Sequence, residues 1–237
     1  MQEIERIDLR EGTNGEILLI LHSNKSTPPE FETELPISAV HINNSIAFVL
    51  AGEDHIEMQV LEKHLHVSAD SFFQINSSVL DHMVNLLLNR IKFTRNMTVM
   101  DIYSGVGLFS AFVAPLVKRC IGIESSLTAC HDYAFNLNAY ENVELYEGRA
   151  EMVLPMLDVK PDIAIVDPPR GGISRKALDA LIKLAPDKII YISCNPATLA
   201  RDTGILDRSG YDLESTILLD MFPQTYHIES MNYFNKV

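Results

Sequence analysis

The sequence predicts an α/β protein: a doubly wound, mostly parallel sheet over about residues 69–237, preceded by a small β-rich region over 1–68. Three observations carry this. Beyond Arg95, apolar runs of strand length alternate with stretches of helical periodicity. Those runs are nearly continuous in apolar residues, as strands covered on both faces are. Before Ser68 the elements are short and alternating, and Asn, Gly and Pro separate them.

In the first region, 7–10 and 17–22 flank Thr13-Asn14-Gly15-Glu16 and read as a hairpin, with Asn-Gly supplying the positive φ angles of a tight turn. Pro28, Pro29 and Pro36 mark a loop, and 45–50 and 56–61 read as further strands. His22, His41, His55, His64 and His66 share no metal-ligand spacing and read as scattered surface residues. The stretch Ser71-Phe72-Phe73-Gln74-Ile75-Asn76 joins the two regions, its aromatics reading as local core packing. Ser77 reads as the cap of a helix to 91, because Val79, Met83, Leu86, Leu87 and Ile91 recur at helical spacing. Strands follow at 98–103, 120–124, 143–146, 162–167 and 188–193, with helices at 107–117, 127–138, 174–184 and 196–209. The stretches 211–219 and 227–234 read as an antiparallel pair closing one sheet edge.

Composition narrows the classes. At 237 residues and 47% hydrophobic content the chain buries a sizeable core. No apolar run reaches membrane-spanning length and the N-terminus lacks the order of a signal peptide, so a soluble cytoplasmic protein is the expectation. Cys120, Cys130 and Cys194 show neither disulfide nor metal spacing, so no metal is expected and the thiols should be reduced. The net charge of −13, from 32 acidic and 19 basic residues, opposes strong phosphate binding by this chain alone.

Three motifs lie at strand ends. Asp101-Ile102-Tyr103-Ser104-Gly105-Val106-Gly107-Leu108-Phe109 follows one strand and opens a helix, and Glu124 ends the next, where a carboxylate grips ribose hydroxyls. The third glycine of the dinucleotide fingerprint is replaced by Phe109, which favours a nucleoside without a pyrophosphate, S-adenosylmethionine being the candidate. Asp167-Pro168-Pro169-Arg170-Gly171-Gly172 leaves another strand, its prolines forcing a rigid, extended exit. Ser193-Cys194-Asn195-Pro196-Ala197-Thr198 ends a third, with Asn195 as helix cap and Pro196 as first helical residue. A cysteine beside that helix N-terminus is expected to favour thiolate, although a free cysteine is also a common core residue.

This set, together with Phe72-Phe73-Gln74-x-Asn76 and His227-x-Glu229, resembles the RNA (uracil-5-)-methyltransferases, the RumA/TrmA-type enzymes. The resemblance covers about 69–237, and the Phe-Phe-Gln-x-Asn form is closer to the 23S ribosomal-RNA branch than to the transfer-RNA branch. It implies a Rossmann-like, class I S-adenosylmethionine-dependent methyltransferase domain that methylates uracil C5 through a covalent bond from Cys194 to C6. It implies Glu229 as the base that removes the C5 proton, and Gln74, Tyr103, Gly105, Glu124 and Asp167 at the methyl donor. An RNA, ribosomal or transfer, is the implied partner.

The family's N-terminal RNA-binding barrel and four-cysteine motif have no counterpart here, so the chain reads as a catalytic piece of a longer protein, with weak RNA affinity and reduced turnover. Two rivals stay open. One is a class I methyltransferase acting on nitrogen or on a small molecule, with Cys194 incidental. The other is a non-catalytic module that binds nucleoside or RNA.

Overall fold

The structure, a computed structural model, describes residues 4–74 and 76–237. It divides into two compact units, Met1–Phe73 and Gln74–Val237.

The first unit holds a four-stranded sheet of β1 (Arg6–Glu11), β2 (Ile17–His22), β3 (Ser38–Asn43) and β4 (Ile46–Ala51) in chain order, beside a hairpin of β5 (His55–Val60) and β6 (Lys63–Ser68). β2 and β3 run parallel, the other neighbours antiparallel. The β1–β2 turn differs from the two-residue expectation: Gly15 takes φ +79 but Asn14 is not left-handed. Gly12 N donates to Glu16 O at 2.8 Å and Gly15 N to Gly12 O at 3.0 Å, closing a three-residue loop with its left-handed glycine last. His41 is fully buried in β3 with its Nε2 2.8 Å from Ser23 Oγ, so it is not a surface histidine. Phe72 is 73% exposed, against the expectation of core packing.

In the second unit, α1 (Ser77–Arg90) is capped by Asn76 rather than Ser77: Asn76 has the extended φ −102, ψ 90 of a cap and its side chain accepts from Val79 N. There follow β7 (Thr98–Ile102), α2 (Leu108–Val113), β8 (Arg119–Glu124), α3 (Leu127–Asn136), β9 (Val143–Glu147), α4 (Ala150–Val153), β10 (Ile163–Val166), α5 (Arg175–Leu184), β11 (Lys188–Ser193), α6 (Pro196–Arg208), β12 (Tyr211–Leu219) and β13 (Glu229–Lys236). α2 is shorter than its apolar run suggests, giving way to a 3-10 turn at Ala114–Leu116. Pro115 lacks the N–H that would continue the helix.

The sheet order is β12-β13-β11-β10-β7-β8-β9. Five neighbouring strands, β11 to β9 in that order, are parallel; β13 is antiparallel to β11 and to β12. The chain winds outward from β7 in one direction and then from β10 in the other, leaving a crevice at the carboxyl ends of these two strands. β7, β8, β10 and β11 are almost wholly buried, hence their lack of polar alternation. No helix among the described residues is long and apolar enough to cross a membrane.

The ring of Tyr133, on α3, packs close against β8 because Gly122 presents no side chain. A Cβ there would stand 2.5 Å from Tyr133 Cζ and 2.6 Å from Oη. Tyr133 cannot yield freely, being 1% exposed and hydrogen-bonded to Ser110 Oγ at 3.0 Å. Gly122→Ala should therefore lower unfolding stability by about 1–3 kcal/mol in a urea titration, the usual cost of overpacking. An unchanged midpoint would deny the contact.

Candidate active site

Three strand ends set the first part of the site. Ile102 pairs with Ile123 on one side and with Val166 on the other, so the next residues, Tyr103, Glu124 and Asp167, follow one another along the same edge. Backbone bonds continue that row: Tyr103 N reaches Ile123 O at 2.9 Å and Asp167 N reaches Ile102 O at 3.2 Å.

The loop after β7 coils tightly, with Tyr103 at φ +64, Gly105 at +53 and Gly107 at +92. A tyrosine in the left-handed region carries about 1 kcal/mol or more of strain, held here by the surrounding bonds. The two glycines act differently. A Cβ on Gly107 would come 2.5 Å from Leu137 Cδ1, so this glycine serves packing on α3; beside Gly105 there is open space. The Glu124 carboxylate accepts from Gly105 N at 2.9 Å, Ser125 N at 2.6 Å and Ser126 N at 2.7 Å. These bonds leave acceptor capacity facing the loop. Below it, Asp101 Oδ2 accepts from Ser110 N and Oγ at 3.1 and 2.7 Å, whereas Asp101 Oδ1 and Ser104 Oγ are buried with no partner among the described residues. Burial, only partly offset by Ser110, raises the Asp101 carboxyl to about 6.

The second part lies across β11. Ser193 pairs with Ser230 at the end of the β11–β13 ladder, so Cys194 and Glu229 each adjoin that last pair, and the Glu229 charge reaches the Cys194 thiol. Glu229 is 2% exposed, and burial raises its carboxyl to about 7. Asp167 is pushed well above the usual range by burial, then by Glu229 and Asp101.

The expectation of an activated thiolate is corrected here. Cys194 does precede α6, whose cap Asn195 accepts from Ala197 N at 3.0 Å. The thiol is nevertheless raised, by burial first and then by the Glu229 and Asp167 charges, against a lowering by Arg170. A helix terminus is a partial charge; two nearby carboxyls and lost hydration outweigh it. Cys194 opens on a cavity of about 270 Å³ shared with Arg170, Tyr226 and His227. Tyr226 is 89% exposed, its ring 4.3 Å from that of His227.

Gln74 is half-buried and stands two residues before the α1 cap; Ile75 lies outside the described residues. Asn76 Nδ2 donates to Met221 O at 3.3 Å, in the segment leading to Glu229. No hydrogen bond joins its side chain to Tyr103, Gly105, Glu124 or Asp167 among the described residues. The sequence reading assigned no role to Arg170, Ser110 or Tyr226. Arg170 was visible in its motif; Ser110 and Tyr226 carry no local signal, because only folding brings them to Asp101 and Cys194. No group of three or more potential metal ligands occurs among the described residues.

A family model described as tRNA (Uracil-5-)-methyltransferase matches residues 154–237. A Staphylococcus epidermidis protein named "Uncharacterized RNA methyltransferase" is 40% identical over 207 residues, covering 82% of this chain and 45% of its own. One from Caldanaerobacter subterraneus, also so described, is 37% identical over 190 residues, covering 79% and 42%. The chain thus spans about half the length of these relatives. The crystal structure of Pyrococcus abyssi tRNA (uracil-54, C5)-methyltransferase with S-adenosyl-L-homocysteine superposes with a TM-score of 0.77 at 26% identity, covering 96% of this chain and 59% of that one. Residues 154–237 thus match the tRNA (Uracil-5-)-methyltransferase family model, and the chain as a whole is similar in sequence to proteins named RNA methyltransferases and in fold to a tRNA uracil-5 methyltransferase.

Proposed function

We propose that this chain methylates carbon 5 of a uracil in RNA, with S-adenosylmethionine as donor, Cys194 as nucleophile and Glu229 as base. What supports this reading is the β11–β13 register, whose last pair, Ser193 with Ser230, adjoins Cys194 and Glu229: burial raises the Glu229 carboxyl to about 7, and Cys194 lines a cavity.

The residues fit the donor. The open space at Gly105, the Glu124 acceptor beside it and the unpartnered Asp101 Oδ1 and Ser104 Oγ suit a polar nucleoside ligand. Glu124 would take the ribose hydroxyls; Tyr103, Gly105 and Asp167 would line the rest, with Gln74 assigned to the donor by family resemblance. Bound there, S-adenosylmethionine supplies a methyl group on positively charged sulfur.

Uracil C5 is a weak nucleophile. Addition of Cys194 Sγ to C6, its thiol proton lost to solvent, sends the C5–C6 electron pair toward C5 and O4. C5 can then take the methyl group while the methyl–sulfur bonding pair stays on the donor's sulfur. Glu229 removes the remaining C5 proton; that bond's electrons restore the C5–C6 double bond as the C6–S bond breaks. A carboxyl near 7 is suited to accept and release a proton at neutral pH. The raised thiol keeps Cys194 protonated in the free protein, so adduct formation should speed up as pH rises through neutrality.

The substrate we favour is ribosomal 23S RNA, on the Phe72-Phe73-Gln74-x-Asn76 form. The matched family description and the Pyrococcus protein concern transfer RNA, so both RNAs belong in the assay. A net charge of −13 points to weak RNA affinity for this chain alone.

With S-adenosylmethionine and RNA containing 5-fluorouridine, a covalent complex should appear on a denaturing gel and vanish in Cys194→Ala. No complex with the intact cysteine would favour a methyltransferase acting on another atom. In calorimetry, Glu124→Ala should weaken S-adenosylmethionine binding about tenfold or more, the loss of a charged hydrogen bond. No heat from the unaltered chain would sink the donor assignment. Glu229 adds a pH test: its folded value, about 7, exceeds the ordinary 4.5. The stability its proton confers is full below about 4.5 and lost as pH rises through 7. Glu229→Gln should therefore be the more stable protein at about pH 8, by roughly 2–3 kcal/mol, and match the unaltered chain near pH 4.

A further inference from the structure

One face of α6 grips the segment that leaves β10. Asn195 Nδ2 and Thr198 Oγ1 donate to Arg170 O at 3.1 and 3.4 Å. One turn later, Arg201 Nη2 donates to Gly171 O and Ile173 O, both at 3.2 Å. Asp202, 1% exposed, completes the grip: its Oδ2 accepts from Ile173 N at 3.1 Å and from Tyr191 Oη at 2.8 Å, and its Oδ1 from Arg201 Nε at 2.8 Å. The backbone passes so close that a Cβ on Gly172 would stand 2.7 Å from both Arg201 Nη2 and Asp202 Oδ2. A charge this deeply buried needs full compensation, and every donor around Asp202 comes from β11, from Arg201 or from the gripped segment.

We propose that Arg201 and Asp202 are positioning residues that clamp the segment 170–173 onto α6 and thereby hold Arg170 beside Cys194. The groups facing the thiol are Glu229 from β13, Asp167 from the end of β10, Arg170 from the clamped segment, and Tyr226 and His227 across the cavity. Burial, Glu229 and Asp167 raise the thiol; the Arg170 side chain opposes them. The carbonyl of Arg170 is itself gripped by Asn195 and Thr198, and those of Gly171 and Ile173 just after it by Arg201, so the clamp governs how well the Arg170 charge reaches the sulfur. The inference depends on the proposed function only for its effect on turnover, because ionisation of Cys194 can be read without RNA or donor.

Arg201→Lys tests it. Lysine keeps a positive charge against Asp202 but cannot reproduce the planar fork that reaches two carbonyls and a carboxylate together. Iodoacetamide labelling of Cys194 is followed peptide by peptide against pH in the full chain, with buried Cys120 and Cys130 as references. The Arg201→Lys curve should move to higher pH, with labelling at about pH 8 slowed about threefold. Tyr191→Phe is the control: it removes a bond to Asp202 from the sheet side and leaves the carbonyl donors, so it should lower the melting temperature without moving the curve. Superimposable curves for Arg201→Lys and the unaltered chain, two flat ones included, overturn the proposal. So does a Tyr191→Phe shift as large as that of Arg201→Lys, which would make the effect one of general stability. A displaced curve in a chain that forms no fluorouridine adduct would strike the proposed function and leave the clamp standing.

Discussion

The hydrogen-bonded register between β11 and β13 is the constraint on which the site depends. In an antiparallel pair a one-residue slip turns every side chain to the other face. Six consecutive pairs, from Lys188 with Asn235 to Ser193 with Ser230, exclude that slip. Asn232 adds to this by donating to Tyr191 O at 2.9 Å and accepting from Thr216 Oγ1 at 2.8 Å, joining β11, β13 and β12 through one buried side chain. Cys194 and Glu229 each adjoin the last pair, so their nearness is inherited from the ladder.

That arrangement has an electrostatic consequence. Asp101, Asp167 and Glu229 are all raised chiefly by burial, and the two aspartates also by neighbouring carboxyls. A site that favours protonated acids holds its cysteine as thiol and the Glu229 carboxyl near neutrality, at a cost in stability that grows with pH. Glu124 is treated differently: three backbone N–H groups converge on it, as they would on a carboxylate kept in one orientation for a ligand. One edge of one sheet therefore holds carboxyls in two environments, a solvated cradle near β8 and a dry cluster between β10 and β13.

Legibility in the sequence followed burial. The parallel strands were readable because both faces are covered, so their apolar runs are unbroken, and the 188–193 reading coincides with β11. The helix-starting signal at Asn195 was local and matches the observed cap. In the first unit, β3 was missed: Ser-Ala-Val-His-Ile-Asn buries polar and apolar residues together, and its parallel partner β2 lies across a proline-containing loop. The Asn-Gly turn was misread because the dipeptide fits two loop lengths, and hydrogen bonds from Gly12 to Glu16 select the longer one.

By itself the sequence determined the alternation of elements, the placing of Tyr103, Glu124, Asp167 and Cys194 at strand ends, and, through its motifs, the resemblance to the RNA (uracil-5-)-methyltransferases. These are properties of short segments, where chain geometry and periodicity act locally. Tertiary structure alone decided the state of the thiol. Its ionisation is a balance among a helix terminus, lost hydration, two carboxyls from other strands and one guanidinium held by a clamp on α6. Each contribution depends on distance and solvent access between segments far apart in the chain, and neither quantity exists until the sheet has closed.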